Sequence, residues 1–365
     1  MSKIISIATG VPAYKHQQSA ICEFADTIYS NNETDSRKLR FLYKKSGIET
    51  RYSVLPDYSS TAADRQFYGT AKNLEPFPDL EKRMEWYAKS ATDLSVKTIR
   101  DCIKGTIEAK DITHLITVSC TGMSAPGLDL EVMEAMELSP NIFRTSVNFM
   151  GCYAAIHALK LADALCYTNP AANVIIVCTE LCTLHFQKEN SIDNITSTLL
   201  FADGCAAVLV QNNESVLKGL LIKNFFSDVA FKGKNDMSWQ LSSKGFLMTL
   251  TGYVPDLIKE DFDILLSKAL NAAGMNKSNI NHWCIHPGGK KILEAIEQST
   301  DITKNDLKYS YDILRDYGNM SSPTILFVLQ KILDQLQNSN AVNETVFGAA
   351  FGPGLTMETF IASYD

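Results

Sequence analysis

Short runs of β-branched and apolar residues alternate with longer stretches of helical periodicity along the whole of this 365-residue chain. The predicted strands are Lys3–Ala8, His114–Cys120, Asn173–Cys178, Ala206–Val210, Leu220–Phe225, Trp283–His286, Val346–Ala350 and Thr356–Ile361. The predicted helices are Met84–Lys104, Leu128–Met136, Ala154–Leu165, Leu257–Ala273, Lys291–Gln298 and Pro323–Gln335. Such alternation is typical of α/β folds, because helices cover the faces of a sheet. The pattern predicts a layered α/β protein, with the irregular segment Leu55–Glu81 as a loop over its body.

A faint internal repeat indicates that one strand-helix unit occurs twice. The segment Ile112–Leu115, which runs on to Cys120, resembles Ile280–Trp283, which runs on to His286. We therefore predict two halves, residues 1–216 and 217–365, whose equivalent strand ends meet near a pseudo-twofold axis. This arrangement would bring four side chains into one crevice: Cys120, Cys152, His286 and Asn319.

Composition places the chain among ordinary globular proteins, with 45% hydrophobic and 21% charged residues. No stretch reaches the roughly 18 apolar residues of a membrane span, and the start of the chain lacks the pattern of a signal peptide. We expect a cytoplasmic protein with no membrane span. The nine cysteines have no disulfide-framework spacing, so we expect free thiols, most of them small buried apolar residues.

The net charge of −7 argues against a nucleic-acid partner, because phosphate binders usually have a basic face. Basic residues are nevertheless concentrated between Arg37 and Arg51, where Glu49 is the opposing acid. A solvated amphipathic helix would explain this cluster, and so would a docking patch for a small phosphorylated ligand.

Cys152 follows Gly151 and precedes an apolar helical stretch. The backbone N–H groups and the dipole at a helix start favour negative charge, so this position would stabilise a thiolate. Gly151 allows a tight entry turn. A small cysteine that merely packs the start of a helix would fit the same pattern.

Two further residues could assist a nucleophile. His286 ends a predicted strand before Pro287 and two glycines, a position from which an imidazole projects into a cleft. Asn319, in a loop before an apolar helix, could donate a hydrogen bond to a developing oxyanion, or could instead cap that helix. Cysteine, histidine and asparagine together are used by papain-like peptidases, and also by enzymes that transfer and condense acyl groups through a thioester. The sequence Gly-Cys-Tyr lacks the papain signature.

The motifs around these residues resemble those of type III polyketide synthases, the chalcone synthase-like superfamily with the thiolase fold. Four segments bear the resemblance: Asn148–Ala154, Ile285–Gly289, Tyr317–Ser322 and Phe351–Thr356 with its Gly352-Pro353-Gly354 loop. The resemblance covers nearly the whole chain and implies two similar αβ halves in an αβαβα arrangement. β-Ketoacyl-carrier-protein synthase III shares the fold and the three residues, and its motifs match less well.

The resemblance implies a role for each residue of the triad. Cys152 would accept an acyl starter from coenzyme A, and His286 and Asn319 would hold the thioester carbonyl of malonyl-CoA during decarboxylation. The resulting enolate would attack the Cys152 thioester in a Claisen condensation. No cofactor, metal or carrier protein is implied, and the spacing Cys178-x₃-Cys182-x₂-His185 matches no standard zinc module.

The resemblance also assigns positions around the triad. Phe201 corresponds to an aromatic gate, Met248 replaces a second gate phenylalanine, and Ser321 lies in the Asn319 motif. Lys38 and Lys45 correspond to lysines that bind coenzyme A phosphates, with Phe41 at the basic position between them. Residues that depart from the plant enzymes would shape the cavity: Cys120, Cys182, His185, Ser197 and Trp239.

A homodimer is expected, although Ala125 replaces the methionine that crosses the dimer interface in plant enzymes. These departures from the plant enzymes argue against a chalcone synthase in the strict sense. A bacterial-type enzyme is predicted, with an aliphatic starter and an alkylpyrone or alkylresorcinol product, by analogy with bacterial relatives. The starter, the number of extensions and the mode of cyclisation are not given by the sequence.

Overall fold

The structure is a computed structural model that describes residues 1–339 and 342–365. Its strands are β1 (Ser2–Gly10), β2 (Tyr14–Gln17), β3 (Thr50–Ser53), β4 (His114–Ser119), β5 (Phe143–Asn148), β6 (Asn173–Leu181), β7 (Asp203–Asn212), β8 (Leu220–Val229), β9 (Met237–Ser242), β10 (Gly245–Leu250), β11 (His282–Ile285), β12 (Thr345–Gly352) and β13 (Thr356–Tyr364). Its helices are α1 (Gln18–Tyr29), α2 (Glu33–Lys45), α3 (Leu80–Ile103), α4 (Leu128–Ala135), α5 (Ala154–Thr168), α6 (Ile192–Leu200), α7 (Val254–Ala272), α8 (Lys290–Ser299), α9 (Lys308–Tyr317) and α10 (Thr324–Ser339).

The main sheet consists of two half-sheets with the same strand order. The order β5-β4-β6-β7-β1 continues as β8-β13-β12-β11, so that β4, β6, β7 and β1 correspond to β11, β12, β13 and β8. The halves meet where β1 pairs with β8 through Lys3 opposite Leu221 and Ile4 opposite Leu220. This short pairing lets the half-sheets diverge. The repeat predicted from the sequence therefore has a counterpart in the topology, and the boundary after residue 216 stays a prediction.

The side chains of the half-sheets alternate between two hydrophobic cores. In β6, Val174 and Ile176 pack in one core with α5 and α10, whereas Ile175 and Val177 pack in the other with α3. In the second half, α7 and α8 pack in the same core as the outward-facing residues of β11 and β12. Helices α5 and α10 are thus buried between the half-sheets, and other helices cover their outer faces. This arrangement confirms the predicted α/β class with its αβαβα layers.

All predicted strands and helices are present. The elements that were not predicted have polar or exposed surfaces. The main omissions are β5, α6, α9 and the hairpin β9–β10. The irregular segment after Leu55 is a packed loop, in which Phe67 is buried and the Asp57 carboxylate accepts the backbone N–H groups of residues 66, 67 and 68. No helix of the described ranges is long and apolar enough to cross a membrane.

Candidate active site

A strained turn places Cys152 at the start of the buried helix α5. The chain leaves β5 through Phe149 with φ +57° and Gly151 with φ +78°, then forms a single 3₁₀ turn, Gly151–Tyr153, that leads directly into the helix. A Cβ atom on Gly151 would lie 2.3 Å from Cδ of Pro353. Glycine is required here for both its conformation and its size. The loop Gly352-Pro353-Gly354 thereby contacts the turn that carries Cys152.

Burial dominates the chemistry of the Cys152 thiol. Its Sγ lies 3.7 Å from Oγ of Ser321 and 4.0 Å from Oδ1 of Asn319. Burial raises the pKa of the thiol to about 11, and the hydrogen bond with Ser321 opposes this effect. The sequence analysis expected the helix start to favour a thiolate. In this structure the loss of hydration on burial raises the pKa of the thiol by more than the helix start lowers it.

His286 is buried in the same cavity with both ring nitrogens unused. Its backbone N–H donates to the carbonyl of Ala349 at 2.9 Å, which fixes the residue at the end of β11. Neither Nδ1 nor Nε2 has a hydrogen-bond partner in the part of the chain that the structure describes. Burial lowers the pKa of His286 to about 3, so the ring is neutral at pH 7. A neutral imidazole has one N–H to donate and one nitrogen to accept.

Two hydrogen bonds of its side chain fix the position of Asn319. Its Nδ2 donates to the carbonyl of Gly288 at 3.1 Å, and its Oδ1 accepts the backbone N–H of Ser321 at 2.8 Å. Gly318, with φ +70°, turns the chain just before it. The alternative that Asn319 caps the following helix is wrong, because α10 begins only at Thr324. The second amide hydrogen of Asn319 remains available.

The structure brings most of the predicted site residues into one cavity, here called the inner chamber. Its lining includes Cys120, Cys152, Cys182, Phe201, Trp239, Met248, His286, Asn319, Ser321 and Pro353. An adjoining cavity, the outer chamber, is lined by His185 and Ser197 among others. The two chambers share Cys182, Phe201, Trp239 and Met248. These four side chains therefore form a neck between the chambers.

The hairpin β9–β10 supplies the aromatic side of this neck. The indole Nε1 of Trp239 donates to the carbonyl of Cys120 at 2.7 Å. The ring of His185 stacks on Phe246 with centroids 4.3 Å apart. Since Nδ1 of His185 accepts the backbone N–H of Phe246, its Nε2 donates to the carbonyl of Thr121. His185 is therefore a wall residue whose two nitrogens are both engaged.

A buried carboxylate that was not predicted from the sequence lies behind the inner chamber. Glu180, in β6, accepts the backbone N–H of Cys120 at 2.8 Å and the hydroxyls of Thr121 at 2.8 Å and Ser322 at 2.7 Å. Burial raises its pKa to about 7. The network joins both halves, because Ser322 belongs to the Asn319 loop. An acidic residue inside an otherwise largely apolar strand is the sequence feature that could have indicated this buried carboxylate.

Lys38 and Lys45 line neither chamber. Both are exposed on α2, and Nζ of Lys45 lies 5.9 Å from the centroid of the Phe41 ring. The described structure places them outside the cavity with the triad. Their predicted contact with coenzyme A phosphates therefore stays a prediction.

A five-layer fold in which a cysteine starts a buried central helix, with a histidine and an asparagine from the other half beside it, defines a thiolase-type condensing enzyme. Family models of the N-terminal and C-terminal domains of chalcone and stilbene synthases match residues 1–214 and 226–363. The chain therefore belongs to the chalcone and stilbene synthase family: it is an acyltransferase, a type III polyketide synthase. The peptidase and the synthase III alternatives gain no support.

Named relatives and solved structures agree with this family. The chain is 30% identical over 360 residues to the alpha-pyrone synthesis polyketide synthase-like Pks18 of Mycobacterium tuberculosis, covering 97% of this chain and 89% of that protein. It is 28% identical to probable polyketide synthase 1 of Dictyostelium discoideum, over 98% of this chain and only 11% of that much longer relative. The crystal structure of PKS-I from the brown alga Ectocarpus siliculosus superposes with a TM-score of 0.93 at 25% identity, covering 100% of this chain and 98% of that one.

Proposed function

We propose that this enzyme loads an acyl-CoA starter on Cys152 and extends it with malonyl-CoA by repeated decarboxylative Claisen condensation. The observation that supports this most is His286, whose ring nitrogens are both buried without a protein partner in the chamber of Cys152. A buried polar group without a partner is costly, so such a group usually serves a ligand. The oxygen of a thioester carbonyl is a suitable acceptor.

Loading begins with proton transfer from Cys152 to His286. Burial disfavours each ionised form alone, and the opposite charges stabilise each other once the proton has moved. The thiolate attacks the carbonyl carbon of the acyl-CoA, and the C–S bond to coenzyme A breaks. Coenzyme A leaves as a thiol after taking the proton from the imidazolium. The acyl group remains on Cys152, and His286 is neutral again.

Extension uses His286 and Asn319 as two neutral donors. Their N–H groups bind the thioester carbonyl oxygen of malonyl-CoA, so that the electron pair from the breaking C–C bond becomes an enolate while CO₂ leaves. The enolate carbon attacks the acyl carbonyl, and Cys152 departs as the thiolate. Loss of one preorganised donor typically lowers the rate by about 10²–10³. The extended chain then returns to Cys152 for the next round.

The two chambers and one relative support the product class. An acyl chain on Cys152 has the inner chamber beside it and a neck of Cys182, Phe201, Trp239 and Met248 leading to the outer one. Pks18, at 30% identity, is named for alpha-pyrone synthesis. Our proposal is therefore an aliphatic starter whose chain lies in these chambers and a cyclised alkylpyrone or alkylresorcinol product.

Further proposals concern partners and location. Coenzyme A phosphates bind Lys38 and Lys45, two exposed lysines that form no ion pair among the described residues. The enzyme acts as a homodimer, for which the exposed edge strand β5 offers a surface. A cytoplasmic location agrees with nine free, buried cysteines. No cofactor besides the coenzyme A thioesters takes part.

A panel of starter acyl-CoAs with malonyl-CoA, analysed by product mass, tests this function. We expect aliphatic starters to give products whose masses correspond to an integral number of added ketide units. In Cys152→Ala we expect condensation to stop while some decarboxylation of malonyl-CoA persists. Cys22→Ala, a substitution of a buried thiol on α1, is the control and should retain activity. Full condensation activity in Cys152→Ala would contradict the assignment.

A further inference from the structure

Arg51, the last basic residue of the cluster that begins at Arg37, is buried and takes no part in the exposed surface. It lies on β3, and only 3% of the residue is exposed. Burial lowers the pKa of its guanidinium, yet an arginine in a protein stays charged. Burial of a charge is costly unless specific partners replace its hydration. The hydrogen-bond partners of Arg51 therefore indicate what this residue does.

Those partners belong mainly to the C-terminal end of helix α6. Nη1 of Arg51 donates to the carbonyl of Thr198 at 2.7 Å and also to that of Phe201. Its Nε donates to Oε1 of Gln18 at 2.8 Å, and Nε2 of Gln18 donates to the carbonyl of Leu199 at 2.9 Å. The last carbonyls of a helix have no partner within the helix, and a helix C-terminus attracts cations. Arg51 and Gln18 satisfy these carbonyls, and we call the two residues the α6 clamp.

The backbone of Asn319 is bound to the same helix end. Its N–H donates to the carbonyl of Leu200, and its carbonyl accepts the N–H of Ala202, both at 2.9 Å. These bonds form an isolated backbone bridge between Asn319 and Phe201. A Cβ atom on Gly318 would lie 2.8 Å from Cδ of the clamp arginine, so that side chain packs against the residue before Asn319. The α6 clamp thus contacts both strands of the bridge.

The bridge joins two residues of the proposed reaction site. Phe201 is one of the four side chains of the neck, and Asn319 lines the inner chamber together with Cys152. Neither Arg51 nor Gln18 lines the inner chamber, so an effect of the clamp on chemistry there passes through the bridge. Hydrogen-bond donors stabilise an enolate only when they are in place before the reaction, and a displacement of about 1 Å can cost about 10²-fold in rate.

We propose that Arg51 is a positioning residue for the decarboxylation of malonyl-CoA, because it holds Asn319 in register with Phe201 through the end of α6. This inference rests on the proposed function. Loading uses the thiol of Cys152 and the imidazole of His286, which α5 and β11 position. Extension uses the amide of Asn319 as well. Loss of the α6 clamp should therefore slow extension much more than loading.

The experiment measures the two half-reactions separately in Arg51→Met, which keeps the length of the side chain and removes its charge and its donors. Acyl-enzyme formation from a starter acyl-CoA alone, followed by protein mass, reports loading. Release of CO₂ from malonyl-CoA alone reports decarboxylation. We expect decarboxylation to fall about tenfold and loading to change by less than about twofold, because only decarboxylation depends on Asn319. Arg51→Lys retains a cation at the end of α6 and should recover part of the loss.

A second buried arginine provides the matched control. Arg83, on α3, is fully buried and likewise donates to a backbone carbonyl, that of Leu184. We expect Arg83→Met to lose stability in urea unfolding and to keep the natural ratio of the two half-reaction rates. Gln18→Ala removes one bond to Arg51 and should change the ratio in the same direction by a smaller factor. This milder variant maintains the test if Arg51→Met does not fold.

Hydrogen exchange gives a second readout that needs no substrate. The N–H groups of Ala202 and Asn319 form the bridge, so we expect both to exchange faster in Arg51→Met than in Arg83→Met. Equal falls in loading and decarboxylation, or equal exchange at Asn319 in the two variants, would overturn the inference. Absence of both half-reactions in the natural enzyme would contradict the proposed function instead, and hydrogen exchange would still test the clamp.

Discussion

At Cys152, two opposing effects act on one thiol. The start of α5 favours negative charge, while complete burial raises the pKa of the thiol to about 11. His286 shows the same effect with the opposite sign, since burial lowers its pKa to about 3. The site therefore keeps both groups neutral. Ionisation is expected only as a paired event, when a thioester replaces water beside them.

The turn before Cys152 gives a direct test of steric constraint. We expect Gly151→Ala to destabilise the fold by about 1–3 kcal/mol and to abolish loading, because its Cβ would collide with Pro353 at a positive φ. Gly105→Ala is the matched control, with φ +79° and no atom within 4 Å of the added Cβ. Urea unfolding would measure the stability of both variants, and iodoacetamide labelling the access to Cys152. Equal stability losses in the two variants would show that the contact with Pro353 is unimportant.

Glu180 predicts a pH dependence of stability. Burial raises its pKa to about 7 in the folded state, so the proton is bound more tightly there than in the unfolded chain. Its contribution to stability is full below the ordinary glutamate pKa and is lost as the pH rises through about 7. We expect the free energy of unfolding of the natural protein, relative to Glu180→Gln, to be larger at pH 5 than at pH 8. A difference that is the same at both pH values would refute this reasoning.

Among the elements, the hairpin β9–β10 determines how the two chambers communicate. It closes one side of the neck, where the indole N–H of Trp239 donates a hydrogen bond to the carbonyl of Cys120. Helix α5 and strand β11, by contrast, place Cys152 and His286 and are fixed by the core. The reacting groups therefore depend on the sheet and its central helices, whereas the shape of the cavity depends on a two-stranded addition to them.

Removal of the Trp239 indole should widen the neck between the chambers. We expect Trp239→Ala to raise kcat/KM for long-chain relative to short-chain starter acyl-CoAs by about tenfold, within the range by which added methylenes in an apolar pocket change specificity. Product masses should shift toward longer acyl chains. Leu241→Ala, on the same strand and 56% exposed, should leave the preference unchanged. An unaltered starter preference in Trp239→Ala would mean that the indole does not limit the acyl chain.

At the scale of the whole molecule, the two halves meet at the active site. Cys152, the proposed nucleophile, comes from the first half and His286 with Asn319 from the second, and the Glu180 network crosses between them. The edge of the first half-sheet is left open at β5, where Phe143 is 70% exposed. An exposed edge strand with a large apolar side chain tends to associate with another chain.

This edge predicts the oligomeric state. We expect sedimentation equilibrium to give the mass of two chains for the natural protein and that of one chain for Phe143→Glu, because a charge would be buried without a partner at the interface. Tyr253→Glu, at a position that is 70% exposed just before α7 in the second half, should remain a dimer. A Phe143→Glu variant that keeps the mass of two chains would place the contact elsewhere.

Local sequence patterns were sufficient for the fold and for the choice of Cys152, His286 and Asn319 as candidate reacting groups. Buried strands such as β6 and helices such as α5 are long and strongly patterned, so they were predicted from periodicity. The segments that were missed, β5 and the hairpin β9–β10, are polar or half-exposed, and their conformation depends on neighbours far away in the chain. Glu180 was missed for a similar reason, since its three donors lie in two segments that are far from it in the chain.

The sequence by itself determined the α/β class, the duplicated unit, the family and the three residues proposed as the triad, because each of these is encoded in local spacing and short motifs. Tertiary structure alone decided the protonation of Cys152 and His286, the neck between the chambers, and which cations of α2 are free. Those properties depend on burial and on contacts between distant segments. No local pattern records how much water a folded site excludes.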